Sequence, residues 1–319
     1  MIKLKQIINI GLPIALGVFF VYYAYSKFTA DQLDEMFGYF KTVNYFYIFL
    51  SLLFMLVSHA SRAYRWKYSI QYLGYSSTFT NNFLAISVGY LLNMTVPRSG
   101  EVSRALVLQK YNNIAFDKGF GTIIAERIID LLFLVIFVFL AFVLQYQQLV
   151  DYLSAKIPIV QLMAMLGAML VLGVVGILLV YKSSLKIFVF IRTKIAGLVE
   201  GVLSIFKMPH RIPFLIHTLI IWTSFVLTFY FGTKVLPETS EISLGVTMVA
   251  FVVGSLAITF TNGGFGAFPL MIAEVLALYG IPITAGTAFG WILWTSQTTL
   301  VIALGGLAFL LLPLLNKAK

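Results

Sequence analysis

Asn93-Met94-Thr95-Val96-Pro97-Arg98-Ser99-Gly100-Glu101-Val102-Ser103-Arg104 breaks a chain otherwise built from long apolar runs. A second interruption, Glu126-Arg127-Ile128-Ile129-Asp130, stands at the head of a very apolar stretch. Arg98, Glu101, Arg104, Glu126, Arg127 and Asp130 therefore bring charge to segments that hydropathy assigns to hydrocarbon. An isolated ionised side chain at bilayer depth costs roughly 3 kcal/mol or more, so charges kept there pair with one another and face a protein interior or a wet cavity. These two stretches are the first candidates for a functional site.

Composition fixes the class. Hydrophobic residues make up 60% of the chain and charged residues 11%, with a mean hydropathy of +0.95. Such a chain is an all-α polytopic membrane protein, read here as one integral membrane domain over residues 1–319. Cysteine is absent, which excludes disulfides, thiolate metal sites and cysteine nucleophiles. The three histidines form no HExxH pair, and no cofactor is expected. The formal charge of +10 sits in short loops between apolar runs, where topology and anionic lipid explain it better than nucleic acid does.

About six runs reach the length of a full transmembrane helix: residues 7–26, 44–61, 119–146, 158–181, 213–235 and 283–315. The first resembles a signal peptide, but Gly11 and Pro13 interrupt it and no small-x-small cleavage site follows, so an uncleaved anchor is expected. Residues 28–41, with Asp31, Asp34 and Glu35, read as an acidic loop. Two further segments, 81–117 and 243–281, are apolar but broken near the middle by Asn, Pro and Gly, as re-entrant hairpins are. With both hairpins returning to the side they entered, most Lys and Arg fall on one face, against Lys27, Lys41, Lys156 and Lys234 on the other. The positive-inside rule then places both termini of this multi-pass protein in the cytoplasm. The order span, span, broken hairpin, long span in residues 1–150 recurs in 151–319 from the opposite side, the pattern of an inverted repeat.

At the first break, Pro97 and Gly100 end one helix and start another, and Ser99 is placed to cap the second. Glu101 and Arg104 are spaced to pair on one helical face. A helix start at membrane depth offers amides to an anion, and an arginine beside it suits a phosphate. The alternative is a surface loop with solvated charges. In the next span Arg127 reaches Asp130 at i+3, and Glu126 shares that face. The six charges balance, which suits bracing as well as function, and one arginine left over would serve a ligand.

The second break, Thr259-Phe260-Thr261-Asn262-Gly263-Gly264-Phe265-Gly266-Ala267-Phe268-Pro269, allows close backbone approach, and Pro269 fits the first turn of the helix carrying Glu274. No Lys-Ser/Thr follows, which argues against a nucleotide loop, and close packing through small residues is the competing explanation. His59, Arg62, Arg65 and Trp66 read as topology and interfacial anchoring, with lipid-phosphate recruitment by Arg62 or Arg65 as the alternative. Residues 182–208 read as an interfacial helix. His217, Trp294 and Gln297 read as packing positions.

Pro97, Arg98, Gly100, Glu101 and Arg104, then Glu126-Arg127-Ile128-Ile129-Asp130, then Gly263-Gly264-Phe265-Gly266, in this order across nearly the whole chain, resemble the transmembrane region of lysylphosphatidylglycerol synthases. That family includes stand-alone flippase-like membrane proteins. The resemblance implies a lipid-translocating domain and carries over Arg98, Glu101, Arg104, Glu126, Arg127 and Asp130 as matching positions. The chain departs from the pattern where Phe268-Pro269 replaces the acid expected after the glycines, with Glu274 the nearest acid. In the last span, Trp294 and Gln297 stand where an arginine is expected.

The leading expectation is a flippase or transporter for a phospholipid or polyisoprenoid-linked lipid. Its phosphate-bearing headgroup would bind between the two hairpins at Asn93, Arg98, Glu101, Arg104, Glu126, Arg127, Asp130, Asn262, Gly263, Gly264 and Glu274. A polytopic enzyme that modifies a lipid headgroup and a structural membrane subunit are the alternatives. The sequence ends four residues after Leu315, with no stretch for a soluble acyltransferase domain. A separate lipid-synthesising enzyme is therefore an expected partner, and a second copy of the chain is another.

Overall fold

The computed structural model describes residues 15, 17–96, 98–148, 150–151, 159–193 and 207–316, and these are helical apart from short connections. In chain order the helices are α1 (17–25), α2 (Ala30–Tyr39), α3 (Tyr45–Tyr72), α4 (Phe79–Thr95), α5 (Ser99–Asn112) and α6 (Phe116–Leu144). The series continues with α7 (Ile159–Lys182), α8 (Lys186–Thr193), α9 (Arg211–Thr233) and α10 (Pro237–Ser240), then α11 (Leu244–Phe260), α12 (Ala267–Ala277) and α13 (Ile283–Leu315). Helices α3, α6, α9 and α13 are long and apolar enough to cross a membrane, and α7 with α8 makes a fifth candidate bent by 92°. The chain is a polytopic helical membrane protein. Five of the expected spans correspond to these helices, while the first part of the run 7–26 lies outside the described residues and its second part is α1; Pro97 also lies outside them. Helix α8, carrying exposed Leu185, Ile187 and Phe190 around its start and middle, begins the stretch read as interfacial, whose remainder to 206 is outside the described residues.

The acidic segment 28–41 is not a loop. Thr29 accepts from the Gln32 amide while the Gln32 side chain accepts from the Thr29 amide, a capping box that starts α2, and Met36 is buried in the core that α13 shares. Asn44, Thr78 and Ser243 start α3, α4 and α11 in the same way, each side-chain oxygen accepting from a backbone amide of the first turn.

Both broken segments form hairpins of helices shorter than the roughly 20 residues a span requires. Helices α4 and α5 run antiparallel, with Asn81 donating to Asn112 at 3.4 Å at the far end. Near the tip, the Gly100 amide donates to Asn93 Oδ1 at 2.7 Å. A Cβ on Gly100 would strike the Gly89 carbonyl oxygen, so glycine at both positions lets the backbones touch. In the second hairpin Gly254 of α11 rests against Phe268 and Ile272 of α12. The turn between them needs positive φ at Gly263, Gly264 and Gly266, and Pro269 falls in the first turn of α12 as its fixed φ allows.

The spans α3 and α9 pack antiparallel along most of their length, from Asn44 N–H donating to Val235 O at 3.0 Å to Arg65 donating to Thr218 at 3.2 Å. Hairpin α4–α5 lies against α6 and α13, and hairpin α11–α12 lies against α13 and α6. Contacts within the first half thus have counterparts in the second when α3 is exchanged with α9, α4 with α11, α5 with α12 and α6 with α13. The hairpin tips meet, Asn262 Nδ2 donating to the Met94 carbonyl at 2.7 Å.

The seam between α12 and α13 depends on bare backbone. A Cβ on Gly290 would lie 2.6 Å from Pro269 Cα, and one on Gly286 would lie 3.0 Å from Ala273 Cα. Gly290→Ala is expected to destabilise the protein by about 1–3 kcal/mol through overpacking. Gly173→Ala on α7, where a Cβ meets nothing within 4 Å, should be neutral or slightly stabilising. Thermal unfolding of the two variants in one detergent checks this, and equal melting temperatures would contradict the close seam.

Candidate functional site

Beneath the first hairpin, three helices bring buried charge together. Asp130 of α6 accepts from Arg62 Nη1 at 2.7 Å and from Arg65 Nη1 at 2.7 Å, both on α3. Glu126, one turn earlier on α6, accepts from Arg104 of α5 at 2.8 Å and lies 3.6 Å from Arg65 Nε. Arg127 reaches Glu101 of α5 at 2.9 Å and Asp130 at 3.9 Å. The side chains of Arg65 and Glu126 are 0% exposed and that of Arg127 37%, so the cluster grades from a dry interior to an open rim. Aromatic faces line the dry end, with the Arg104 guanidinium 4.0 Å from the Trp66 ring centre and Arg65 5.4 Å from that of Phe214. Trp66 in turn donates to Thr122 at 2.9 Å.

Burying such a set is tolerable only when the pairs are complete, because a charge left alone there keeps its full desolvation cost. The pairs also fix geometry. Arg104 with Glu126 and Arg127 with Glu101 clamp α5 to α6, and Asp130 clamps α6 to α3. Asn93 links this clamp to the break, since its Oδ1 holds the Gly100 amide and its Nδ2 donates to Glu101 at 3.4 Å. Met94, whose carbonyl takes the Asn262 amide, is the next residue.

Several expectations change. Glu101 and Arg104 do not pair with each other, because the two carboxylates and two arginines cross between α5 and α6. Ser99 does not cap α5: its hydroxyl donates back to Leu92 and Val96 carbonyls at 2.9 and 2.7 Å, and the N-cap position is Arg98, in the left-handed region at φ 63°. Nor does α5 offer a full set of free amides. Those of Ser99 and Gly100 are taken by Val96 O and Asn93 Oδ1. Arg98 is exposed and makes no ion pair among the described residues, so it is not a member of the cluster. Glu274 is exposed on α12 and likewise stands apart. Its charge acts on Lys27, whose ammonium is held above its ordinary range by the Tyr23 side chain first and by Glu274 least.

Asn93, Glu101, Arg104, Glu126, Arg127 and Asp130 come together, and Asn262 with Gly263 reaches the tip beside them. Arg62 and Arg65, expected at the interface as anchors or lipid-phosphate ligands, are instead buried, at 3% and 0% exposure. The signal for them was a polar face at helical spacing, Ser58, Ser61, Arg62, Arg65 and Ser69, all buried in α3. His217 packs as expected, 3.3 Å from the Ser61 hydroxyl, and Trp294 donates to the Gly263 carbonyl at 2.8 Å.

A sequence model of the lysylphosphatidylglycerol synthase TM region matches residues 10–314. The chain belongs to that family. A UPF0104 membrane protein of Methanocaldococcus jannaschii, MJ1595, is 32% identical over 127 residues, which is 38% of this chain and 38% of that protein. No solved structure matches the chain. As a member of the lysylphosphatidylglycerol synthase TM family, the protein is a multi-pass membrane protein related to lipid biology.

Among these residues bracing and binding separate experimentally. Asp130→Asn leaves Arg62 and Arg65 buried without their carboxylate and is expected to cost about 3–5 kcal/mol. Arg98→Ala, at an exposed position with no ion-pair partner, should change stability by less than about 0.5 kcal/mol. Parallel unfolding curves in detergent measure both, and comparable losses would place Arg98 in the brace.

Proposed function

We propose that the protein is a lipid flippase that takes a phosphate-bearing headgroup at the junction of its two broken hairpins and exposes it alternately to the two faces of the membrane. The observation that carries this reading is the meeting of the two breaks, Asn262 on Met94, in a protein whose remaining long helices have the make-up of spans. Interrupted helices that meet inside a bundle are a recurring construction of transporters, because irregular backbone at that depth survives where it lines a cavity. The antiparallel pairing of α3 with α9 and the matching contacts of the two halves support reading residues 1–150 and 151–319 as an inverted repeat. Two such halves can exchange conformations and so reverse the access of one site.

Arg98 and Arg127 are the headgroup-facing cations in this reading, being the two arginines of the motifs that retain solvent exposure. A guanidinium grips phosphate with two parallel donors, which a lysine there would not reproduce. Asn93, Asn262, Gly263 and Gly264 line the junction, while Glu101, Arg104, Glu126 and Asp130 hold its walls. Exposed Thr95 and Thr259 and half-exposed Gln297 add polar surface near the breaks, where an apolar helix would face lipid. The synthesis of the lipid belongs to a separate enzyme, and the membrane is the bacterial cytoplasmic one with both termini inside.

Proteoliposomes carrying fluorescent phospholipids, with dithionite added outside, read translocation directly. Wild-type protein should bleach the inner-leaflet label in a manner dependent on the headgroup. Losing one charge-assisted contact should slow Arg98→Ala by about tenfold or more. Translocation by Arg98→Ala at the wild-type rate, or none by wild type across a panel of phospholipids and lipid-linked sugars, would overturn the proposal.

A further inference from the structure

The charge cluster does not balance. Arg62, Arg65, Arg104 and Arg127 set four positive charges against Glu101, Glu126 and Asp130, and each carboxylate is already engaged by an arginine. One positive charge is left over in a cluster whose inner members are buried, where a charge without a counter-ion keeps its desolvation cost. Beside it lies a narrow pocket with room for about one water molecule, lined by Arg62, Tyr90, Asn93, Gly100, Arg104 and Arg127. The side chains of Arg62 and Arg104 are 3% and 4% exposed. Each of the three arginines lining the pocket retains an Nε–H with no hydrogen-bond partner among the described residues.

We propose that this pocket binds one small monovalent inorganic anion of the size of chloride, which supplies the fourth negative charge of the cluster. The donors suit it. Besides the guanidinium groups, Asn93 has a second amide hydrogen after its long contact to Glu101, and the Tyr90 hydroxyl makes no hydrogen bond among the described residues. The pocket borders the proposed lipid site through Asn93 and Arg127, and size decides what enters it. Chloride is close to a water molecule in volume, whereas a phosphate group has five heavy atoms. Gly89 and Gly100 set that limit from the protein side, since their backbones touch and a Cβ on Gly100 would come within 2.7 Å of the Asn93 side chain. The anion links α3, α4, α5 and α6 at one point, next to the residues that hold the hairpin tip.

Purified wild-type protein, exchanged into sodium gluconate, is titrated with sodium chloride, bromide or phosphate at constant ionic strength while thermal unfolding is followed. Chloride and bromide should raise the melting temperature saturably and phosphate should not. Bromide titration gives a second reading through Trp66, which packs against Arg104. Bromide should quench part of the tryptophan fluorescence saturably, and that component should vanish in Trp66→Phe. Tyr90→Phe removes one hydroxyl donor and should weaken halide affinity by about tenfold. A response to chloride no greater than to gluconate overturns the proposal, as does an equal response to phosphate or a halide affinity unchanged in Tyr90→Phe. None of these readings involves lipid movement, so their failure leaves the flippase reading standing, and a failure of translocation leaves this one standing.

Discussion

Asp130, held between Arg62 and Arg65, is the contact on which the first half of the bundle depends. Its carboxylate is the meeting point of two helices far apart in sequence, Asp130 lying 68 positions after Arg62. Apolar packing alone specifies helix pairing weakly in a membrane, since lipid tails compete for the same surfaces. A doubly bridged carboxylate has one satisfactory geometry, so it sets the register of α3 on α6. The register of α6 then decides where Glu126 and Arg127 stand, and these place α5 and the break above it.

The second half achieves the same layout without charge. Where α5 meets α6 through Arg104–Glu126 and Glu101–Arg127, α12 meets α13 through Gly286 and Gly290 against the backbone of Ala273 and Pro269. One interface is fixed by directional pairs and the other by surfaces too close for any side chain. The asymmetry suits a protein in which one hairpin carries the chemistry and the other supplies a fitted wall.

Much of this was legible in the chain. Apolar run lengths located α3, α6, α7, α9 and α13, and the Pro and Gly punctuation located both breaks. The acids Asp31, Asp34 and Glu35 make 28–41 look like a loop, and the helix α2 shows itself only through the capping box of Thr29 and Gln32. The end of α3 was lost for a related reason: a hydropathy window stops at Arg62 and Arg65, whereas the helix continues to Tyr72 because those charges are neutralised by residues of another span. Arg98 and Arg104 look equivalent in sequence. What separates them is the left-handed backbone at Arg98, before the helix starts, against the position of Arg104 one turn inside it and facing α6. Pairing across helices is a property of the packed bundle, and local spacing does not encode it.

The contact between hairpin tips has a dynamic consequence. Among the described residues a single neutral hydrogen bond, Asn262 to Met94, joins them. Such a bond contributes about 1 kcal/mol net, roughly a fivefold bias between joined and parted tips. The walls of the junction are thus fastened by buried ions, and its latch by one neutral hydrogen bond and the packing of Gly263 on Met94. Under the proposed function, a headgroup with a small preference for joined or parted tips would suffice to redistribute the population.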